Sequence, residues 1–376
     1  MIALGRELAG RGHAVTLQTW TRWRTDVEAQ GMAFAPAPEY PPFPTGGRPL
    51  KPYEAVERAT RDTLPLVREL APDAVVADIL TLAPALAAEL ENVPVATLIP
   101  HLDPRMPPAC PPFSCGARQP RTSAGRALWR AADPLLRLGL ELGRRELNET
   151  RVRLGLPALA HVHGGISRTL CLVATFPQLE YPRHWPASTH VVGPLLWEPS
   201  TGAVELPGGE GPLVLVAPST SQDPEHRLLR GALAGLAALP VRVLVSSNRQ
   251  RPDPPLDVPA NALVVDWLSY ALTMPACDLV ICHGGHGTVA RALASGCATV
   301  LVPAAGDMNE NAARVDWAGV GVRLPRRMVG ARGLALAAGR ALARPGLRSR
   351  AQEMQAWAEA NDGAAAAADL VERLSP

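Results

Sequence analysis

Short apolar runs of strand length alternate with amphipathic helical patterns along nearly the whole chain. This alternation predicts βαβ units and parallel sheets, because parallel strands need a crossover connection, usually a helix, between them. The first half contains four predicted strands, at 14–20, 74–77, 94–98 and 169–173. It also contains four predicted helices, at 1–11, 52–70, 79–91 and 123–154. The proline-rich segment from Pro100 to Pro120 has no periodic pattern, and we predict a functional loop there.

A proline- and glycine-rich stretch follows Val191-Val192-Gly193, and the alternation then starts again. The second half contains five predicted strands, at 213–217, 241–246, 262–265, 278–282 and 298–302. Its predicted helices lie at 224–238 and 288–296, and three more helical patterns close the chain. We therefore predict an α/β protein with two Rossmann-like, doubly wound parallel-sheet domains. These are 1–193 and 213–376, joined by a linker at 194–212.

Composition narrows the classes of function. A chain of 376 residues with 47% hydrophobic residues is long enough to fill two cores. The net charge of +2, without any stretch that interleaves aromatic and dense basic residues, argues against nucleic-acid binding. The sequence has no apolar run of the roughly 18 residues that a membrane span needs, and its start is amphipathic rather than signal-like. The six cysteines show no CxxC spacing and the acidic residues no cluster, so we expect no metal and a cytoplasmic protein with reduced thiols.

The strongest local motif is a glycine-rich turn between a buried strand and a helix. It consists of His283, Gly284, Gly285, His286, Gly287 and Thr288. Free backbone N–H groups and the positive end of the helix dipole converge at such a turn, which suits a phosphate or pyrophosphate. The glycines remove the Cβ atoms that would block close approach, and Thr288 can cap the helix or donate its hydroxyl. The alternative is a tight turn in which the histidines have no ligand.

Two neighbouring strand ends carry further candidates. Trp267 follows the strand at 262–265 and offers a ring for stacking on a nucleobase, although alone it would more often be a core aromatic. Asp307 and Asn311 follow the strand at 298–302 and so belong to the same carboxyl edge, where open α/β sheets bind ligands. Asp307 alone could be only a helix N-cap.

Trp267, the turn His283–Thr288 and Asp307-x3-Asn311 together resemble the donor signature of family 1 glycosyltransferases. The sequence is especially similar to bacterial members that modify lipophilic natural products. The resemblance implies a GT-B fold, with two such domains facing a cleft. It implies that Trp267 stacks on uracil or thymine, that His283 and Thr288 bind the diphosphate, and that Asp307 bonds sugar hydroxyls.

The loop after the strand at 213–217 matches the family loop whose hydroxyl residue contacts phosphate, a role for Ser219 or Thr220. The sequence departs from the plant form of the signature at two positions. Arg291 replaces a glutamate that holds the ribose diol, and Met308 replaces a glutamine beside the sugar-binding aspartate. These departures count against UDP-glucose and are compatible with a dTDP-deoxysugar, whose nucleoside lacks the 2′-hydroxyl.

The catalytic base of this family is a histidine before the first helix, oriented by an aspartate at a later strand end. Asp78 matches that aspartate, with a helix N-cap as its alternative role. The histidine has no counterpart, because Met1 already lies in the first helix; we expect the natural protein to begin upstream. His13 belongs to the turn at the opposite sheet edge and is not the base. His101, at the correct edge, is a possible substitute or an acceptor contact.

The resemblance also implies the substrates and the reaction. Met106 and Phe113 in the proline-rich loop suggest an apolar, bulky acceptor, whereas Leu128 and Trp129 at helical spacing are expected to pack in a core. The expected enzyme is an inverting glycosyltransferase that uses a dTDP- or UDP-sugar and no metal, as a monomer or homodimer. The alternatives are a GT-B nucleotide-sugar epimerase and an inactive auxiliary protein that binds nucleotide. The sequence argues against a dinucleotide oxidoreductase, because no strand is followed by a GxGxxG motif with an acidic residue about 20 positions on.

Overall fold

The structure, a computed structural model, describes residues 1–38, 52–199, 201–219, 223 and 225–374, apart from the side chains of Pro52 and Tyr53. The described strands of the first half form two parallel sheets. In one of them, β1 (Thr16–Thr19) pairs with β2 (Ala33–Pro36). The other has the order β3-β4-β5-β6, formed by Val75–Asp78, Val95–Ile99, Leu170–Val173 and Thr189–Val191. Within these described residues, β1 and β3 each keep one edge that no strand pairs.

Helices cover these sheets and connect their strands. Those of the first half are α1 (Ile2–Gly10), α2 (Arg24–Glu28), α3 (Pro52–Leu70), α4 (Leu82–Leu90) and α5 (Ser123–Arg153). Across the part of the chain that the structure describes, no helix is both long enough and apolar enough to cross a membrane.

The second half contains one parallel sheet of six strands in the described residues, in the order β12-β11-β10-β7-β8-β9. These strands are β7 (Leu213–Ala217), β8 (Arg242–Ser246), β9 (Ala262–Val265), β10 (Leu279–Cys282), β11 (Ala298–Leu301) and β12 (Gly321–Arg323). The chain builds outward from β7 in one direction and from β10 in the other. The strand order therefore reverses between β7 and β10, which is where open α/β sheets have their ligand crevice.

Except for the last of them, the helices of the second half pack on both faces of this sheet. They are α6 (Arg227–Leu236), α7 (Tyr270–Thr273), α8 (His286–Ala294), α9 (Asp307–Ala318), α10 (Ala331–Leu342), α11 (Pro345–Ala360) and α12 (Gly363–Glu372). The four central strands β7, β8, β10 and β11 are almost wholly buried, which explains their continuous apolar sequences.

The predicted α/β alternation is confirmed, and each predicted strand has a counterpart within one or two residues at either end. The sequence did not reveal β2, β6 and β12, which have only three or four residues each and too few alternations to show a period. Four helices follow β11, not three. Helix α4 begins at Leu82 rather than at 79, because Asp78 binds the backbone N–H groups of Leu80 and Thr81 in a turn.

The last helix returns to the first half. Ala368 of α12 packs in one apolar cluster with Leu4 of α1 and with Leu98 and Leu172 of the first-half sheet. His13 contacts Glu372 of α12 through Nε2 at 3.0 Å, which agrees with its expected position in a turn away from the candidate site.

Two crossings of the backbone connect the halves, and they touch each other. Gly193, with φ of +98°, lies at the first crossing, and Gly363 at the start of α12 lies at the second. A Cβ atom on Gly363 would lie 3.0 Å from the backbone carbon of Gly193 and 3.0 Å from the carbonyl oxygen of Pro194. The backbones approach this closely because neither glycine has a side chain.

A buried cluster of charged side chains joins the halves elsewhere, centred on Arg314 of α9. The Arg314 guanidinium is fully buried and donates to Glu310 at 2.7 Å and to Glu180 of the first half at 3.0 Å. Its carbon lies 3.8 Å from the centre of the Tyr181 ring. Glu180 also accepts the backbone N–H of Asp103 at 2.8 Å. Each of these buried charges is thus in contact with a group of opposite charge.

The proline-rich loop lies over this cluster and against α9. The Ser114 backbone N–H donates to Glu310 at 3.2 Å, and Arg323 donates to the carbonyl of Gly116. Gly116 has φ of +67°, and a Cβ there would lie 2.9 Å from the Arg323 Nη2 atom and 3.0 Å from the Asn309 Cβ atom. The loop is therefore fixed by backbone contacts to the second half.

Replacing Arg314 with methionine is expected to lower the free energy of unfolding by about 3–5 kcal/mol, because it leaves Glu310 and Glu180 buried without their cation. The control is Arg118→Met, which removes a largely exposed pair with Asp316 (2.9 Å) and should cost less than about 1 kcal/mol. Urea unfolding followed by circular dichroism measures both. Equal effects of the two substitutions would contradict the role assigned to the cluster.

Candidate functional site

The crevice between β7 and β10 contains His283, the first residue after β10. The backbone N–H of Ser219, two residues after β7, donates to His283 Nδ1 at 2.8 Å. Because that nitrogen must supply a lone pair, the ring proton lies on Nε2. Burial lowers the pKa of His283, so the ring is neutral at pH 7. His283 therefore presents one N–H donor at a fixed position.

The surroundings of His283 are charged. Its Nε2 lies 3.6 Å from Asp223 Oδ2, and the Asp223 carboxylate accepts the first backbone N–H groups of α6, from Arg227 and Leu228. Arg227 and Arg326 line a small pocket with both residues. Asp223 and Arg326 were not predicted from the sequence, since neither belongs to a motif. Thr220, the other predicted phosphate contact, lies outside the described residues.

The glycine-rich turn brings an uncapped helix N-terminus to the same place. Gly285 is the N-cap of α8, and no side chain caps this helix. Gly284 has φ of +85°, and a Cβ there would lie 3.3 Å from the Met308 carbonyl oxygen. At Gly285 and Gly287 an added Cβ would meet nothing within 4 Å. Open space therefore lies beside the free N–H groups, and Thr288 borders it in the first turn of α8.

His286, in the same turn, points elsewhere. It is almost completely buried, with Nε2 3.3 Å from the carbonyl oxygen of Ala174 in the first half and Nδ1 3.3 Å from Asn311 Oδ1. Burial lowers its pKa to about 4. The structure thus places His286 at the interface between the halves, whereas His283 faces the crevice.

Helix α9 begins at Asp307 beside the glycine-rich turn. Asn311 Nδ2 donates to the Gly284 carbonyl at 2.8 Å and lies 3.3 Å from Asp307 Oδ2. Asp307 is half-buried in the first turn of α9, and Met308 is the next residue. The structure therefore brings Asp307, Met308 and Asn311 together with the turn, as predicted from their strand ends.

Trp267 lies at the carboxyl end of β9, half-buried, and its Nε1 donates to Thr201 Oγ1 at 3.3 Å. The guanidinium carbon of Arg249 lies 4.7 Å from the centre of the indole and covers one face of it. Arg249 was not predicted from the sequence, although it lies only three residues after β8 at the same sheet edge. Arg291 is half-buried, and burial lowers its pKa while Glu198 opposes that shift.

Asp78 ends β3 at the carboxyl edge of the first-half sheet. Its Oδ1 accepts the Leu80 N–H at 2.8 Å, and the N-cap of α4 is Thr81, so Asp78 is not the helix cap. Burial lowers the pKa of the Met1 amino group, and the nearby Asp78 carboxylate partly opposes this shift. Among the hydrogen bonds and ion pairs of the described residues, no histidine pairs with Asp78.

His101 follows β4 and lies beside Phe113, with the two ring centres 6.0 Å apart. Its Nδ1 lies 2.7 Å from the Leu102 carbonyl oxygen, so Nδ1 carries the proton and Nε2 the lone pair. His101 is near enough to His286 to lower the pKa of that residue. The structure thus brings His101 and Phe113 together at the interface between the halves.

Other predicted residues lie elsewhere. Met106 contacts Arg314 at 3.5 Å and belongs to the buried charged cluster. The expectation that Leu128 packs in a core is wrong, because its side chain is 69% exposed on α5. In the residues that the structure describes, no group of His, Cys, Asp or Glu side chains is arranged to hold a metal ion.

Known proteins are similar to this chain, and one described family matches its second half. Residues 230–374 match the family described as "Erythromycin biosynthesis protein CIII-like, C-terminal domain". The chain is 28% identical to 4′-demethylrebeccamycin synthase of Lentzea aerocolonigenes, over 100% of this chain and 96% of that protein. It is 31% identical to O-mycaminosyltylonolide 6-deoxyallosyltransferase of Streptomyces fradiae, over 61% of this chain and 56% of that protein.

A solved structure of the glycosyltransferase VinC in complex with dTDP superimposes with a TM-score of 0.69 at 20% identity. The match covers 100% of this chain and 95% of that chain. These similarities confirm the predicted GT-B fold and the family resemblance stated above.

The position of His286 has a consequence for stability against pH. The unfolded chain binds a proton at this ring below about pH 6.5, whereas the native ring stays neutral down to about pH 4. The contribution of His286 to the free energy of unfolding is therefore fully present above pH 6.5. It is lost as the pH drops toward 4, which lowers the free energy of unfolding by roughly 3 kcal/mol. Burial lowers the pKa of His283 and His163 as well, so they act in the same direction.

In His286→Gln, the loss of unfolding free energy between pH 7 and pH 5 should be smaller than in the unsubstituted protein. His184→Gln, at an exposed position, serves as the control and should leave the slope unchanged. Chemical unfolding at a series of pH values measures the slope. The same slope in all three proteins would show that His286 is not buried in its neutral form.

Proposed function

We propose that this chain, a member of the family 1 glycosyltransferases of the GT-B fold, transfers a sugar from a nucleotide diphosphate sugar to a hydroxyl of an apolar small molecule. Such an acceptor would be a secondary metabolite. The similarity to proteins of natural-product biosynthesis supports this class of reaction.

One observation carries the proposal, namely the convergence of donors on the crevice between β7 and β10. The uncapped N-terminus of α8 and Thr288 follow His283 in one turn, and the glycines at 285 and 287 leave open space beside that N-terminus. The His283 Nε2 lies 3.6 Å from Asp223 in a small pocket that Arg227 and Arg326 also line. Together these donors suit the two negative phosphates of a leaving nucleotide diphosphate and would offset its charge without a metal ion.

The remaining donor groups follow from the same geometry. Trp267 would stack on the base, with Arg249 shifting from the ring face that it covers. Asp307 at the start of α9 would accept hydrogen bonds from sugar hydroxyls, and Ser219 would border the phosphates. We favour dTDP over UDP, because Arg291 stands where a ribose-binding carboxylate would be expected, and because VinC is described as a dTDP complex.

Nucleotide binding tests this donor site directly. We expect dTDP to raise the melting temperature by mass action, UDP to raise it less, and GDP to have the smallest effect. Trp267→Ala should weaken dTDP binding roughly tenfold or more, since stacking of a base on an aromatic ring contributes about 1–3 kcal/mol. The control is Trp20→Ala, because Trp20 is 49% exposed in the first half and likewise carries an arginine on its ring.

Titration calorimetry with dTDP measures the two variants. A preference for GDP, no thermal shift with any nucleotide, or equal losses in both tryptophan variants would overturn the assignment of this donor site.

The transfer itself would be a single displacement with inversion. The acceptor oxygen forms a bond to the anomeric carbon as the bond to the diphosphate oxygen breaks, and the nucleotide diphosphate leaves with the electron pair. The acceptor's hydroxyl proton passes to a base. Among the described residues, His101 has a ring nitrogen with a free lone pair at the interface between the halves, and we assign it to the acceptor side with Phe113. The family resemblance gives Asp78 the separate role of orienting a histidine base and stabilising its imidazolium.

Replacing His101 with glutamine should lower the rate of transfer about a hundredfold, because loss of a positioned base typically costs a factor of 10² or more. The rate is measured as dTDP release from dTDP-glucose with a panel of phenolic acceptors. The affinity for dTDP should not change. His13→Gln is the control, since it lies at the opposite sheet edge.

An unchanged rate in His101→Gln would contradict the role of this residue. Tight dTDP binding without turnover in the unsubstituted protein would favour the auxiliary nucleotide-binding function. Conversion of a UDP-sugar without any acceptor would favour a nucleotide-sugar epimerase.

A further inference from the structure

One turn of the second half carries an arginine at a position that favours glycine. The turn directly follows β8, and it is closed by the Gln250 N–H, which donates to the Ser247 carbonyl oxygen at 3.1 Å. Its two central residues, Asn248 and Arg249, have φ of +52° and +62°. A turn with two positive φ values prefers asparagine followed by glycine, because glycine adopts this conformation without steric cost. Asn248 fits this preference, whereas the local backbone gives no reason for Arg249.

The end of the neighbouring strand β9 fixes the direction in which this turn faces. The Ser247 N–H donates to the Val265 carbonyl oxygen at 2.8 Å. The Arg249 N–H donates to the Asp266 carbonyl oxygen, also at 2.8 Å. Trp267 is the next residue, and the exposed Arg249 side chain places its guanidinium carbon 4.7 Å from the centre of that indole ring. The turn therefore holds a long cationic side chain over the ring that is proposed to stack on the nucleobase.

The same turn contacts the loop after β7, which borders the proposed phosphates. Asn248 Nδ2 donates to the Pro218 carbonyl oxygen at 2.6 Å. Gln250 Nε2 donates to the Ser219 carbonyl oxygen at 3.4 Å. Arg249 lies between these two residues, and within the described part of the chain its guanidinium makes no ion pair. Its position is thus fixed relative to both ends of the proposed donor site, while its charged group is available to a ligand.

We infer that Arg249 is a donor-binding residue that covers the outer face of the nucleobase, so that the base lies between its guanidinium and the Trp267 ring. The inference rests on the donor site proposed above. A guanidinium is planar and more weakly hydrated than an ammonium group, and it stacks on the flat faces of aromatic rings and bases. A base that enters must displace the guanidinium from the indole. The rotatable bonds of the arginine side chain allow this while the turn keeps its backbone hydrogen bonds.

The other group of the donor that could attract this cation is the diphosphate, and the position of Arg249 favours the base. The small pocket at His283 is lined by Arg227 and Arg326. The Arg249 guanidinium instead lies on the ring of Trp267. In the free protein it covers the indole face, and on binding it would move from one flat aromatic surface to another. Binding would therefore exchange one stacking contact of the guanidinium for another.

Two substitutions, measured by titration calorimetry with dTDP, separate stacking from charge. Arg249→Gly should weaken dTDP binding roughly three- to tenfold, the size of a cation–π contact. Its melting temperature should fall by no more than about two degrees, because glycine relieves the positive φ and so offsets the lost contact with the indole. Arg249→Lys keeps the charge but not the planar group and should weaken dTDP binding to a similar extent. The control is Arg22→Lys, since Arg22 lies 4.3 Å over the ring of Trp20 in the first half.

Unchanged dTDP affinity in Arg249→Gly would overturn the inference. Full affinity in Arg249→Lys would also overturn it, because a charge alone would then suffice and the contact would be with phosphate. A melting temperature many degrees lower in Arg249→Gly would assign the arginine to the fold instead. If the unsubstituted protein binds no nucleotide, the donor site itself is wrong. If Trp267→Ala loses affinity and Arg249→Gly does not, only the present inference is wrong.

Discussion

The guanidinium of Arg314 is the group on which the arrangement of the two halves depends. It is fully buried, and it reaches both Glu310 in its own helix and Glu180 in the other half. A charge removed from water in this way is tolerated only while its partners stay in contact. The cluster therefore strongly favours the one relative position of the two halves in which these contacts are made. The same helix begins with Asp307, and Glu310 also holds the backbone of the proline-rich loop. Asp307 and the candidate acceptor loop are thereby held by one helix.

Two histidines three residues apart show how one motif serves both the crevice and this interface. His283 accepts a backbone N–H and is left with a single donor, at Nε2, which lies 3.6 Å from Asp223. His286 lies on the other side of the turn and contacts the first half through the Ala174 carbonyl oxygen. Burial keeps both rings neutral at pH 7. The crevice therefore presents hydrogen-bond donors and a helix dipole to a ligand, beside the Asp223 carboxylate and the arginines at 227 and 326.

The sequence predicted the parts of this structure that depend on local periodicity. The strands β7, β8, β10 and β11 have continuous apolar sequences because both faces are covered, and the glycine-rich turn was recognisable because it follows one of them. The place of His286, the stacking of Arg249 on Trp267 and the burial of Arg314 were not predictable, since each depends on a contact between segments far apart in the chain. Leu128 shows the same limit. Its helical spacing identified an apolar face, but periodicity does not say what covers that face.

The touching crossings at Gly193 and Gly363 have a mechanical consequence. Both connections between the halves pass through one spot where backbone meets backbone, so a rotation of one half against the other would turn about this spot. When one half rotates by a few degrees about this spot, its atoms are displaced in proportion to their distance from it. A methyl group on Gly363 would push the two backbones apart at this spot. The resulting rotation would change the distances of the ion pairs around Arg314. The close approach of Gly193 and Gly363 therefore affects how well Arg314 contacts Glu310 and Glu180.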